Sequence, residues 1–378
     1  MSTPVAAVRP RVVHLTSVHD AFDIRIFRKE CRSLSAAGYD VVLVAPHDRD
    51  EIVDGVQIRA VPRPASRMQR MLRTTWAVFR VGSRERGAVY HLHDPELLLF
   101  GVWLQWTGRK VIYDAHEDAP RDILSKHYLP RSLRAVLAGC VDMLERSVCS
   151  VFAGVVTVTA PIAARFDPAR TVVVHNYPLL EEFPEPSGPP FAQRARAAVY
   201  VGGLNRIRGV REMIAAVGEV AARSSAELWL AGRFDPPALE VELAREAGWA
   251  HTAALGWCDR DRIVALLGRA RVGLLVLHAV PNHLGSLPIK LFEYMGAGLP
   301  VVASDFPMWR EVLGDAALLV DPLDTRAIAG AVEWLFDHPD EAERMGRLGR
   351  EAVVSRFHWE REAEVLLGLY ARILKRAA

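Results

Sequence analysis

The chain has 378 residues, 47 Lys and Arg against 45 Asp and Glu for a net charge of +2, and a hydrophobic share of 51%. That composition excludes a disordered chain, and no run of 18 or more apolar residues is present to span a bilayer as a helix. The length exceeds what one core organises comfortably, so two domains are expected, and no nucleic-acid partner is expected.

The N-terminus, MSTPVAAVRPRVVHLTS, leads straight into a strand and lacks the basic, apolar and cleavage segments of a secretory leader, which predicts a cytoplasmic protein. Strand RVVHLTS from Arg11 is followed by a loop, a helix through FRKECRSLSAAG that Gly38 ends, and strand DVVLVAP. Short apolar strands follow at VQIRAVP, AVYHLHD, KVIYDAH, VVTVT and TVVVHNYP, with helical segments between them. This alternation predicts a doubly wound parallel sheet over residues 1–180. The stretch 181–196, rich in Pro and Glu, has neither period and reads as a connector. The pattern restarts at AAVYVGGL, and AELWLAG, VGLLVL, LPVVAS and ALLVDP are the later strands of a second domain over 197–358. A last helix covers 359–378. Cys31, Cys140, Cys149 and Cys258 lack metal-site spacing and read as reduced structural thiols.

Within this frame, several segments carry chemistry. The first strand-to-helix loop, TSVHDAFDIRIF, has no glycine, which excludes the dinucleotide fingerprint and weakens a methyltransferase reading. Its carboxylates, Asp20 and Asp23, are two candidates to take a proton from an acceptor hydroxyl, and the sequence does not choose between them. Arg25 serves a polar fold contact equally well. Seven arginines and one acid lie between Arg63 and Arg86, with Met68, Leu72, Trp76 and Phe79 about a turn apart. This is a basic amphipathic helix suited to anionic lipid, a lipid-diphosphate acceptor or an acidic glycan, or else a domain helix with a solvated basic face. HLHDPELL offers His91, His93, Asp94 and Glu96, but strand alternation separates Asp94 from the histidines and no third ligand is well spaced, so no metal is expected. His116 stands just past the end of a strand, where ligands sit in open α/β sheets.

In the second half, VGGLNRIRGVREMI sets Gly202 and Gly203 after a strand and Arg206 and Arg208 before a helix, the outline of a metal-free diphosphate cradle. SLPIKLFEYMGAGLPVVASDFP then puts Ser286, Leu287 and Pro288 at a helix start, Lys290 and Glu293 on the helix, and a buried strand behind it. A helix N-terminus attracts phosphate, a carboxylate further along can accept from ribose hydroxyls, and Lys290 can add a third cation.

The wording KLFEYMGAGLPVVASD, with the loop around Arg208 and the segments around His19 and His116, resembles the family 4 retaining glycosyltransferases. The resemblance covers nearly the whole chain. It implies a GT-B fold, two Rossmann-like doubly wound parallel-sheet domains facing a central cleft, with the C-terminal helix 359–378 packing back on the first. It implies a retaining, metal-independent transfer from a UDP-, GDP- or dTDP-linked sugar to an acceptor glycan, lipid carrier or small molecule, without a cofactor. Carried over residue by residue, it gives Gly202, Gly203, Ser286, Leu287, Lys290 and Glu293 to donor binding and His116, Arg206 and Arg208 to catalysis. His19, Asp20 and Arg25 go to acceptor binding. Arg206 replaces the arginine usual at Gly203, and Gly285 stands where a first family glutamate is common. A peripheral membrane contact at the inner face through 63–86 is a further expectation. A sugar-nucleotide epimerase and a non-catalytic nucleotide-sugar sensor share these features, and incubation with donor alone separates them.

Overall fold

The computed structural model describes residues 9–125, 130–183 and 189–375, with the side chain of Arg67 excepted. Residues 1–8, the middle of the expected connector at 184–188, and residues 376–378 of the expected C-terminal helix lie outside that description.

Two compact units divide the chain: residues 1–176 with 360–378, and residues 177–359. The first holds an eight-stranded sheet built from β1 (Arg11–Leu15), β2 (Asp40–Pro46), β3 (Glu51–Val53), β4 (Val56–Val61), β5 (Val89–Leu92), β6 (Lys110–Ala115), β7 (Gly154–Thr157) and β8 (Thr171–Val173). Its order is β3-β4-β2-β1-β5-β6-β7-β8, parallel except for β3. β2 is buried from Val41 to Pro46, the near-continuous apolar run that a sheet covered on both faces requires. β1 and β5 are neighbours, so the order reverses between them, and the loops that leave their C-terminal ends open at one switch point.

The second unit has β9 (Ala197–Val201), β10 (Glu227–Ala231), β11 (Thr252–Gly256), β12 (Val272–Leu275), β13 (Val301–Ser304) and β14 (Ala317–Val320). All are parallel in the order β11-β10-β9-β12-β13-β14, with the switch point between β9 and β12. Two strands escaped the sequence reading. β3 is an antiparallel, partly exposed edge of three residues, and β11 is an edge strand with no buried position, so neither carries an apolar run.

The passage between units comes earlier than the expected connector. Tyr177 already belongs to the second unit, its ring 4.5 Å from that of Phe292 and 5.4 Å from that of Phe357. Phe183 and Phe191 are also buried, and the Arg194 guanidinium lies 5.1 Å over the Phe191 ring. Isolated side-chain anchors hold this stretch, which is why it shows no period. The helix Trp359–Lys375 buries Leu366, Leu369, Tyr370 and Ile373, and Glu362 accepts from the His175 backbone N–H at 2.7 Å within the first unit.

Candidate functional site

At the end of β9 the chain turns at Gly202 with φ +130°, where a β-carbon would fall 2.3 Å from Lys290 Cε. The missing side chain is therefore what lets Lys290 lie against the loop. Arg208 closes the other side, Nη1 3.5 Å from the Gly203 carbonyl, in a turn that Asn205 Oδ1 caps by accepting from Arg208 N at 3.1 Å. Gly209, φ +73°, passes so close to the neighbouring strand that a β-carbon would meet Val276 O at 2.1 Å. Burial, then the Arg208 charge, brings Lys290 down to about 8, although Glu293 opposes the shift. Gly202, Gly203, Arg208 and Lys290 thus lie together as one basic cluster at the end of β9. Arg206 does not join it: it points to the surface and pairs with Glu242.

The helix behind the cluster runs Ile289–Gly296, with Pro288 still extended at its entrance. Ser286 does not cap it, because its hydroxyl donates to His283 O at 3.2 Å while its carbonyl accepts from Trp309 Nε1 at 2.8 Å. Leu287 is half-buried. Glu293 sits one turn along the helix and is buried. Tyr294 OH accepts from Val201 N at 3.0 Å and pins the helix to β9. Sequence reasoning missed Arg260, which donates to Glu293 Oε1 at 2.5 Å and to Glu182 Oε2 at 2.8 Å, and stacks 5.2 Å over the Phe183 ring. The adjacent DRDR run was the available signal, yet no local pattern tells which arginine turns inward.

In the first unit, His116 follows β6 and is largely buried. Its Nε2 lies 3.3 Å from His19 Nε2 and its Nδ1 3.5 Å from Asp114 Oδ2. His19 also faces Asp23 at 3.5 Å and Asp94 at 3.7 Å. Burial opposes its protonation, but these carboxylates prevail and raise its pKa. Asp23 is held down to about 2 against the push of burial, by His19 and by the Arg25 and Ile26 backbone N–H groups. A carboxylate that acidic is a weak base, which argues against Asp23 as a proton acceptor. Asp20 is exposed and pairs with Arg63.

Arg25 turns inward instead of facing an acceptor. It donates from Nε to Asp114 Oδ2 at 2.8 Å and from Nη2 to Asp114 Oδ1 at 3.0 Å, and from Nη1 to Val174 O at 3.2 Å, with Glu30 Oε1 3.2 Å away. Its fork geometry and 5% exposure make it an interior ion-pair residue, the alternative the sequence had left open. His14 and Glu30 also converge on His91 and His93, all fully buried. Their separation along the chain hid this cluster. Asp94 turns to the first loop, accepting from Ser17 N at 2.5 Å and Thr16 Oγ1 at 3.1 Å.

Comparison with known proteins matches residues 195–338 to the model described as glycosyl transferases group 1, and residues 24–177 to the glycosyl transferase 4-like domain. An MMP alpha-(1->4)-mannosyltransferase of Mycolicibacterium hassiacum is 29% identical over 178 residues, 46% of this chain and 42% of that protein. A phosphatidyl-myo-inositol mannosyltransferase of Mycolicibacterium smegmatis is 30% identical over 203 residues, 52% of this chain and 48% of that protein. The matches thus span less than half the length of either relative. Among solved structures, a sucrose-phosphate synthase from Thermosynechococcus elongatus superposes with TM-score 0.78 at 19% identity, covering 98% of this chain and 100% of that one. Anabaena HepE in complex with UDP and glucose gives 0.73 at 12% identity, covering 96% and 100%. The fold is GT-B.

Proposed function

The chain belongs to the group 1 glycosyltransferases, and from that premise we propose that it moves a sugar from a nucleotide-diphosphate sugar to an acceptor hydroxyl with retention and without a metal. The observation that carries this reading is the basic cluster at the end of β9, where Gly202, Arg208 and Lys290 meet the start of the helix that bears Glu293. Backbone N–H groups and two cations suit a diphosphate, and their charge would stabilise the leaving group as the glycosidic bond breaks. Glu293 Oε1 is held by Arg260, which leaves Oε2 to accept from the ribose. HepE was solved with UDP and with UDP-glucose, which makes UDP sugars the first donors to try, with GDP and dTDP sugars beside them.

The acceptor would be met by the first unit around His19 and His116. Among the described residues no helix is long and apolar enough to cross a membrane. We place the protein at the cytoplasmic face of one, because Met68, Leu72 and Trp76 are 71%, 65% and 53% exposed on the arginine-rich segment. A lipid-linked acceptor fits that surface.

Thermal stabilisation by UDP, GDP, dTDP and CMP sugars tests the donor site. A bound donor raises the melting point by mass action. Loss of one charge-assisted contact, about 1.5–3 kcal/mol, should weaken binding roughly ten- to hundredfold in Arg208→Ala. A full shift retained in that variant would refute the site. Turnover of donor without acceptor to a new sugar nucleotide would identify an epimerase instead.

A further inference from the structure

Beneath His116 runs a continuous line of buried polar groups. Tyr370 OH lies 2.9 Å from His91 Nδ1 and 3.2 Å from His14 Nε2, His14 Nδ1 is 2.9 Å from His93 Nε2, and His93 Nδ1 is 3.3 Å from Asp114 Oδ2. His14, His91 and His93 are each 2% exposed or less. We infer that Asp114 sets the direction of every hydrogen bond in this line and thereby holds His116 as the Nδ1–H tautomer, with Nε2 as a fixed acceptor.

Asp114 is ionised through its two bonds from Arg25, and His93 Nδ1 at 3.3 Å and His116 Nδ1 at 3.5 Å from its Oδ2 meet no other hydrogen-bond partner, so the carboxylate charge favours N–H over a lone pair at each. A neutral His93 then offers a lone pair at Nε2, so His14 must donate from Nδ1. His14 Nε2 becomes an acceptor, Tyr370 must donate to it, and His91 must donate its Nδ1–H to the Tyr370 oxygen. Burial disfavours the charged form of all three interior histidines, in keeping with one proton each. Glu30 approaches His14, His91 and His93 at 3.8–3.9 Å and is pushed up by burial and by Asp114, toward its neutral form. At the far end, His116 Nε2 faces His19 Nε2 at 3.3 Å and can accept its N–H with the same lone pair a sugar hydroxyl would use. Metal ligation by His14, Glu30, His91 and His93 fits less well. Two imidazole nitrogens on one tetrahedral zinc stand about 3.3 Å apart given Zn–N of about 2.0–2.1 Å, whereas the 2.9 Å between His14 and His93 is a hydrogen bond, and the lone pair of Tyr370 already engages His91.

His116 thus has Asp114 as its positioning residue, with the histidine line as its support. The role of His116 toward sugar rests on the transferase reading, but the tautomer does not, so the test uses the protein without substrate. Long-range proton–nitrogen spectra of histidine-labelled protein should show Nδ1–H tautomers at His14, His91, His93 and His116, with His116 assigned by loss of its signal in His116→Gln. An unconstrained histidine side chain in water prefers Nε2–H, so the pattern is distinctive. In Tyr370→Phe, His91 should move to Nε2–H while His93 and His116 stay unchanged. In Asp114→Asn, His116 should lose its single tautomer. An Nε2–H at His93 or His116 in the parent, an unchanged His116 in Asp114→Asn, or an equimolar transition metal bound to the purified protein would each overturn the inference.

Discussion

Lys290 shows at the level of one residue how a buried cation is held at a cost to the fold. Its pKa falls to about 8 in the folded protein, so between about 8 and the ordinary lysine value the unfolded chain binds more protons than the native one. Stability of the ligand-free protein should therefore rise with pH across that window, and Lys290→Met should flatten the rise in thermal melts. Affinity for a diphosphate should fall over the same window, because the neutral amine no longer attracts it. Arg260 is the complementary case. Removing it in Arg260→Ala leaves Glu182 and Glu293 buried without their cation, and should cost on the order of 3 kcal/mol in denaturant unfolding. The meeting of Gly203 with Arg208 was legible because a glycine-then-cation loop is written over adjacent residues. Arg206, Arg25 and Arg260 show the limit: an arginine's long side chain reaches a partner that its own neighbourhood in the chain does not reveal.

At the level of elements, the segment Arg67–Gly82 separates pattern from packing. Met68, Leu72, Trp76 and Phe79 recur at helical spacing, yet only Phe79 is buried, stacked 4.3 Å from Phe100. The other three stay outside, accompanied by exposed Arg73 and Arg80 and by Trp103 and Trp106 of the helix Leu98–Trp106. Periodicity located the helix correctly and could not say which apolar positions the core would take, since that depends on the neighbouring helix. Each cation near an anionic surface contributes about 1 kcal/mol, so Arg73→Gln with Arg80→Gln should lower partition onto phosphatidylserine vesicles roughly thirtyfold, read by co-sedimentation. Unchanged partition, or none in the parent, would remove the membrane reading. Edge strands β3 and β11 were invisible for a related reason: half-exposed strands lack the apolar run that marks the buried ones.

Across the whole molecule, the chain leaves the first unit after Asn176 and returns at Glu360. The returning helix rests on Gly154 of β7, where a β-carbon would come 3.1 Å from Leu369 Cδ1 and 3.2 Å from Ile373 Cδ1. Leu369→Ala should cost about 2–5 kcal/mol, and that loss should fall on the unfolding of the first unit, followed by hydrogen exchange of β7. Two mainly parallel sheets, the family and the glycine–arginine loop after β9 were determined by the sequence itself, because strand runs, helix spacing and loop motifs are written over a few adjacent residues. The tertiary structure alone decided that His14, Glu30, His91, His93, Asp114 and Tyr370 share one interior, and that Arg260 reaches Glu293. Those groups stand up to 356 positions apart in the chain, and side-chain burial and hydrogen bonding act through space, so no local pattern encodes their meeting.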